Sequence, residues 1–106
     1  MLAYICLVKI LNDYKNDPVR LTDERISHIE KHAELQGMED QIEEALKEPD
    51  LVIRGHDVNL NYRYYNTRVG NKWLCVVVKY SVDDAFVLTA YLTNRVKKGE
   101  ILWKNT

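Results

Sequence analysis

The sequence lacks most of the features that mark secreted, membrane-spanning and cofactor-dependent proteins. Its 106 residues include two cysteines, two prolines and four glycines. No apolar run approaches the ~20 residues that a transmembrane helix needs. There is no G-x-G-x-x-G fingerprint, no phosphate-binding P-loop, no nucleophile elbow and no C-x-x-C motif. Cofactor-dependent and nucleotide-hydrolysing functions therefore have no support in the sequence, and we expect no cofactor.

The composition is that of an ordinary globular protein, with 46% hydrophobic and 29% charged residues. A chain of this length can form one hydrophobic core without disulfides or metals, so we predict a single domain over residues 1–106. Cys6 and Cys75 lie in apolar runs and either form a disulfide or, as we expect, stay reduced and buried. The opening segment MLAYICLVKI has neither a basic start nor a cleavage site. We therefore expect a cytoplasmic protein without a signal peptide or membrane anchor.

Charge is distributed unevenly, although the net charge is −1. Residues 1–50 contain six Lys or Arg and twelve Asp or Glu, whereas residues 51–106 contain nine and four. A chain polarised in this way can offer a basic surface to a phosphate backbone. The usual preference of helices for Glu and of edge strands for Lys and Arg explains the same asymmetry. Both interpretations stay open.

Two helices are predicted in residues 19–49, after residues 1–18, which comprise an apolar run of strand or helix type and the polar linker NDYKNDP. Thr22 is placed to cap the first helix, and the acidic residues that follow it suit the positive end of the helix dipole. Apolar residues then recur at helical spacing until Gly37, where we expect the helix to end. The second helix lies in MEDQIEEALKEPD and ends at Pro49.

Residues 50–106 change to an alternating pattern, which predicts strands. LVIRG, NLNYRYYNT, KWLCVVVKY and DAFVLTAYLT are predicted as four strands, and a short edge strand is expected around Ile101 to Trp103. The short connections between them imply antiparallel pairing. The predicted fold class is α+β, with N-terminal helices packed on one face of a four- to five-stranded antiparallel meander sheet.

Two histidines four residues apart are the first candidates for chemistry. His28 and His32 are predicted to stack on one side of the first helix. Half of a zinc site, two solvent-facing or capping side chains, and a pair of acid–base catalysts all fit this spacing. No cysteine or carboxylate cluster in the sequence completes a metal tetrahedron, so we expect no metal. His56 follows Arg54 in a predicted turn and is interpreted as a loop residue.

The predicted sheet supplies a second candidate, a face that combines cations with hydroxyl groups. The fourth strand has an apolar side, which we predict to face the core: Phe86, Leu88, Ala90 and Leu92. The opposite face is predicted to gather Arg63, Tyr65, Lys79, Thr89, Tyr91 and Thr93, with Arg54 on a neighbouring strand. A solvated polar face and a phosphate site with stacking rings both fit this set of residues.

From about Val19 to Trp103 the order of motifs resembles the phage-associated branch of the barnase–EndoU–colicin–RelE superfamily of metal-independent ribonucleases. The segments that carry the resemblance are RLTDERISHIEKHAEL, EALKEPDLVIRG, YRYY, KWLCVVVKY and FVLTAYLTNRVKKGEILW. Their order and spacing are more specific than any one of them. The family pattern usually has a proline where this chain has Ala33, and often a basic residue where it has Asn66.

The resemblance implies a helical cap on a four-stranded antiparallel sheet, with a site on the exposed sheet face near the histidine helix. The catalytic positions it implies are His28, His32, Arg54, Lys79, Thr89 and Thr93. The predicted substrate-binding residues are Arg63, Tyr65 and Tyr91. Members of the superfamily cleave RNA by attack of its 2′-hydroxyl on the adjacent phosphate. That reaction needs a proton acceptor, a proton donor and cations around the phosphorane. Which histidine is acid or base stays open.

The leading hypothesis is therefore a metal-independent endoribonuclease, of toxin type, with RNA as substrate and an antitoxin or immunity protein as partner. The alternative is a non-catalytic module of the same fold that binds RNA or a protein. A third possibility is an interaction protein that uses the acidic helices. No membrane partner is expected, and the oligomeric state is not determined by the sequence.

Overall fold

The computed structural model describes residues 8–67 and 69–105, and within them the fold is α+β, as predicted. The described elements in chain order are β1 (Val8–Asn12), β2 (Pro18–Thr22), α1 (Asp23–Glu30), a 3₁₀ turn (Ala33–Leu35), α2 (Glu39–Lys47), β3 (Leu51–Arg54), β4 (Leu60–Asn66), β5 (Trp73–Ser81), β6 (Asp84–Thr93) and β7 (Ile101–Lys104). Cys6 lies outside the described residues, as does most of the opening apolar run. The described end of that run is strand β1.

The sheet is larger than predicted and is not purely antiparallel. Its seven described strands lie in the order β1-β2-β6-β5-β4-β3-β7, and β2 pairs with β6 in parallel while the other neighbours are antiparallel. The prediction of four to five antiparallel strands is therefore wrong, as is the placement of the helices at the N-terminus. The helices lie mid-chain because β1 and β2 form a hairpin before them. The residues interpreted as a linker are the turn of that hairpin, with Asn16 at φ 66°.

Asp13 holds this turn in shape and attaches it to the sheet. Its Oδ1 accepts the backbone N–H groups of Lys15 and Asp17, each at 2.9 Å. Its Oδ2 lies 3.0 Å from Arg63 Nη1, and both side chains are 0% exposed. The approach is too oblique for a hydrogen bond, so the contact is an ion pair that leaves both atoms without a hydrogen-bond partner among the described residues. Two buried charges in contact cost far less than one buried alone.

Arg63 makes two further contacts from the same buried position. Its Nη2 donates a hydrogen bond to the Tyr80 hydroxyl, and its guanidinium carbon lies 5.1 Å from the centroid of the Tyr14 ring. Tyr14 is also tied to the helical layer, because its N–H donates to the Leu46 carbonyl at 3.0 Å. The turn is thereby fixed to β4, β5 and α2 together.

The first helix begins as predicted, but it ends seven residues early. Thr22 Oγ1 accepts the N–H of Arg25 at 3.1 Å, which is the predicted N-cap. The helix stops at Glu30 instead of Gly37, and a 3₁₀ turn then carries Leu35 into the core. The helical layer covers one face of the sheet, through the buried residues Ile26, Ile29, Ile42, Ala45 and Leu46.

A bulge in β6 changes which of its residues face the helices. The β5–β6 register shifts between Val77, which pairs with Thr89, and Val78, which pairs with Val87. The extra residue reverses the alternation halfway along the strand. The helix-facing residues of β6 are therefore Ala85 and Val87 before the bulge and Ala90 and Leu92 after it. The predicted core face is confirmed for Ala90 and Leu92 and is wrong for Phe86 and Leu88.

The opposite face of the sheet is partly covered by the chain itself. Residues 94–100 connect β6 to β7 and must pass β5, β4 and β3, because β7 pairs with β3. Along this crossover, Val96 packs on a second apolar cluster that includes Ile53, Tyr64 and Cys75. The β4 side of this face is therefore buried, while the β6 side stays open. No helix within the described residues is long and apolar enough to cross a membrane.

The buried ion pair predicts a large loss of stability when one of its charges is removed. Replacing Arg63 with methionine leaves the Asp13 carboxylate buried and unpaired, and we expect the free energy of unfolding to fall by about 3–5 kcal/mol in urea denaturation. Arg20→Met is a matched control, because Arg20 also pairs with an aspartate, Asp84 at 2.7 Å, but both side chains are over 30% exposed. Solvent screens that pair, so its loss should be clearly smaller. Equal losses in the two variants would contradict a dominant role for Arg63.

Candidate functional site

Four of the predicted site residues lie on the open side of the sheet, which we call the open face: Lys79, Thr89, Tyr91 and Thr93. The register places Thr89 opposite Val77 and Lys79 opposite Phe86, away from the helical layer. Within the described part of the chain the Lys79 ammonium makes no ion pair or hydrogen bond. It is therefore a charge available to an anionic ligand.

The hydroxyl groups of this face have different surroundings. Thr93 Oγ1 accepts the N–H of Arg95 at 3.1 Å and donates to the carbonyl of the same residue at 3.1 Å, so it starts the crossover. The Thr89 hydroxyl makes no hydrogen bond to a described residue. Of the two threonines, Thr89 has the hydroxyl group that is free to bind a ligand.

Tyr91 is partly buried and packs against a cluster that contains Cys75 and Tyr64, both of which are fully buried. Burial raises the pKa of Tyr64 to about 12 and that of Cys75 to about 11, and it also raises the pKa of Tyr91 above its ordinary value. The Tyr64 hydroxyl accepts the backbone N–H of Lys97 at 3.0 Å. Tyr91 is protonated at neutral pH, so it can donate a hydrogen bond but cannot act as a base.

Arg63 and Tyr65 lie on the other side of the sheet, so the prediction of one shared face is wrong for these two residues. The alternation along β4 was read correctly, but its register with β5 pairs Arg63 with Val76 and Tyr65 with Leu74, beneath the helices. Arg63 is wholly buried. Neither residue can contribute to a site on the open face.

The two histidines are exposed, but they do not stack on one helix. His28 lies in α1 beside a depression of about 370 Å³ that is also lined by Glu24, Arg25, Ser27 and Lys31. His32 lies beyond the end of α1, in an extended conformation with φ −82° and ψ 115°. This is the conformation that a following proline would impose, although Ala33 follows here. The predicted i, i+4 stacking is therefore wrong, because the helix ends between them.

The helical segment that carries the histidines packs on β6, the strand that also carries Thr89 and Thr93. Both α1 and the 3₁₀ turn contact β6. The parallel ladder between β2 and β6 has one register pair, Arg20 with Phe86. Beyond that pair, no described strand covers the outer edge of β6. The histidine segment and the threonines thus belong to elements that meet at β6, on opposite faces of the sheet.

Arg54 lies elsewhere, in a small pocket of about 210 Å³ at the end of β3 that is lined by Arg54, Gly55, His56, Lys98, Gly99 and Glu100. Its Nη1 is 3.7 Å from Glu100 Oε1, and its backbone N–H donates to the Glu100 carbonyl at 2.9 Å. Sequence reasoning missed His56, Lys98 and Glu100. The segments RGH and KKGE contain these residues, but only the path of the crossover brings the two segments together.

Among the described residues, no three His, Cys, Asp or Glu side chains are grouped to hold a metal ion.

The buried cluster predicts that Cys75 is unreactive in the folded protein. With a pKa of about 11, only about one thiol in a thousand is ionised at pH 8. In a Cys6→Ser variant, where Cys75 is the remaining cysteine, we expect negligible labelling by a disulfide reagent at pH 8 and rapid labelling in concentrated urea. Labelling that is equally fast in the native protein would contradict this burial.

Comparison with known proteins identifies the family. A family model described as phage-Barnase-EndoU-ColicinE5/D-RelE like nuclease2 matches residues 5–104. No curated protein and no solved structure gives a match. The match spans nearly the whole chain and confirms the resemblance seen in the order of motifs. The chain therefore belongs to the phage-Barnase-EndoU-ColicinE5/D-RelE like nuclease family.

Proposed function

We propose that the protein is a metal-independent endoribonuclease that cleaves RNA by attack of a 2′-hydroxyl on the adjacent phosphate. The observation that carries the proposal is the nuclease-family match over residues 5–104. The reaction leaves a 2′,3′-cyclic phosphate and a free 5′-hydroxyl. It requires a base for the 2′-oxygen, an acid for the 5′-oxygen and positive charge near the phosphorane.

The residues proposed for this chemistry lie in α1, just after α1, and on the open side of β5 and β6. His28 and His32 are exposed, and imidazole is the side chain most often used for general acid–base catalysis, so they are the proposed base and acid. Lys79 is the proposed cation, because its ammonium is not paired with any described residue. Thr89 is proposed to hydrogen-bond a phosphate oxygen, and Tyr91 to donate to the substrate from the same face.

Two of the residues predicted to bind substrate are left out of this proposal. The Arg63 guanidinium has no exposed surface, and Tyr65 packs against the helix-side cluster. Two aromatic rings on the open face also have cations over them already. The Arg20 guanidinium carbon is 5.5 Å from the Phe86 ring centroid, and Lys97 Nζ is 5.2 Å from that of Tyr62. Base stacking on these rings would first have to displace the cations.

We further propose that the whole chain, residues 1–106, acts as one domain in the cytoplasm, as a toxin held in check by an antitoxin or immunity protein. A ribonuclease without sequence selectivity endangers the cell that makes it. The acidic half of the chain supports such a pairing, because the helical layer offers carboxylates away from the open face. A partner of this kind is expected to be basic where it meets the helices.

The alternative is a non-catalytic module that binds RNA or a protein. One observation favours it: His28 and His32 lie on the helical side of β6, whereas the Lys79 and Thr89 side chains belong to the other face. For catalysis, one phosphate must contact the histidines and the open-face residues at the same time. Binding of a ligand to the open face alone does not require contact with the histidines.

The proposal is tested by incubating a mixed RNA pool with the protein in EDTA and identifying the product ends. We expect cleavage with 2′,3′-cyclic phosphate ends. We also expect His28→Ala, His32→Ala and Lys79→Ala each to lower the rate by about 100-fold or more, since each removes a group that acts in the transition state. Lys72→Ala is the control, because Lys72 is exposed in the loop before β5. This variant should cleave RNA at the wild-type rate.

Cleavage that survives all three substitutions would place the chemistry elsewhere in the fold. An RNA gel shift without cleavage would favour the binding module. With neither binding nor cleavage, the remaining possibility is a protein partner.

A further inference from the structure

The pocket at the end of β3 contains none of the residues proposed above for catalysis, although the family resemblance implies a catalytic role for Arg54. Two distant segments form it, the turn after β3 and the last residues of the crossover. Glycine is required where each segment presses on the sheet. A Cβ on Gly55 would lie 2.8 Å from Tyr62 Cε2, and one on Gly99 would lie 2.7 Å from Ile53 Cγ2. Both segments therefore pack tightly against the sheet beside the pocket.

Cations outnumber carboxylates among the side chains that line the pocket. Arg54 and Lys98 are positively charged, and Glu100 is the sole carboxylate of the lining. The Arg54–Glu100 pair is 3.7 Å long with both side chains well exposed, so it restrains the guanidinium only weakly. Asp57 is next to His56 in sequence, but its Oδ1 accepts the Asn59 N–H at 2.9 Å within its own turn.

The two consecutive lysines of the crossover have different surroundings. The Lys97 ammonium lies over the Tyr62 ring, and its backbone N–H is bonded to Tyr64. Lys98 lines the pocket and, within the described residues, makes no ion pair or hydrogen bond. A free ammonium beside a guanidinium and an imidazole is a set of donors that suits a phosphate group.

The pocket lies three strands away from Thr89, the proposed phosphate contact on β6. Thr89, Val77, Tyr62 and Ile53 form one row across the sheet, from β6 to β3. This row crosses three strand spacings of ~4.8 Å, or about 14 Å in all. Arg54 is the next residue along β3. The pocket and Thr89 therefore lie at opposite ends of this row.

We propose that Arg54, His56 and Lys98 form a phosphate-binding subsite that holds a backbone phosphate of the nucleic acid, away from the bond that is cut. The nucleic-acid source of the phosphate rests on the proposed ribonuclease function, whereas the recognition chemistry applies to any phosphate ester. Contacts of this kind position the strand without reading its bases. The subsite would therefore strengthen binding of longer RNA without selecting its sequence.

The histidine Cε1–H resonances provide a direct test by NMR titration. The probes are inorganic phosphate and, separately, a DNA tetranucleotide, which lacks the attacking 2′-hydroxyl. We expect a saturable shift of the His56 resonance, with affinity reduced about tenfold in Lys98→Gln, which removes a charge-assisted hydrogen bond. Lys72→Gln removes the same charge outside the pocket and should bind within about twofold of wild type.

A saturable, Lys98-dependent shift with the tetranucleotide supports the subsite. Binding of phosphate but not of the tetranucleotide would overturn its assignment to nucleic acid. Absence of a saturable shift with both probes, or equal affinity in Lys98→Gln, would overturn the site itself. RNA cleavage is a separate measurement: binding at His56 without cleavage refutes the ribonuclease proposal alone, and cleavage without binding at His56 refutes the subsite alone.

Discussion

The ion pair between Arg63 and Asp13 is the contact on which the arrangement of the sheet depends. Both side chains are fully buried, and each would be costly to bury alone. The pair attaches the β1–β2 turn to β4 in the centre of the sheet, and Tyr14 extends that attachment to α2. Because β2 then pairs with β6, this attachment also fixes where α1 and its histidines leave the hairpin. Removing either charge would leave the other buried and unpaired.

The second constraint is the path of the chain after β6. A strand order that ends in β3 and β7 forces residues 94–100 across the sheet, where they bury Tyr64 and Cys75 and leave the β6 side open. The same crossover brings Lys98 to His56 at the end of β3. This one connection thus covers the β4 side of the sheet face opposite the helices and leaves the β6 side uncovered. Its last residues form one wall of the pocket at the end of β3.

Much of the local structure follows from neighbouring residues. Thr22 caps α1 because a hydroxyl before an acidic first turn satisfies free N–H groups there. The alternation within β4 and β5 was also predicted correctly, residue by residue. The β1–β2 hairpin was missed because its strands are short and its turn is polar. The early end of α1 was missed because Ala33 continues the helical spacing of Ile26 and Ile29.

By itself, the sequence determined the start of α1 and the alternation within β4 and β5, since these depend on residues within a few positions of one another. It also determined the fold class and the family, which follow from the order of motifs along the chain. Only the tertiary structure decided which strand faces join. It puts Arg63 and Tyr65 under the helices, with Lys79 and Thr89 on the opposite face. The physical reason is that strand side chains alternate between the two faces of the sheet with a period of two. A change of one residue in the register with a distant strand, or one bulged residue, therefore moves every following side chain to the opposite face.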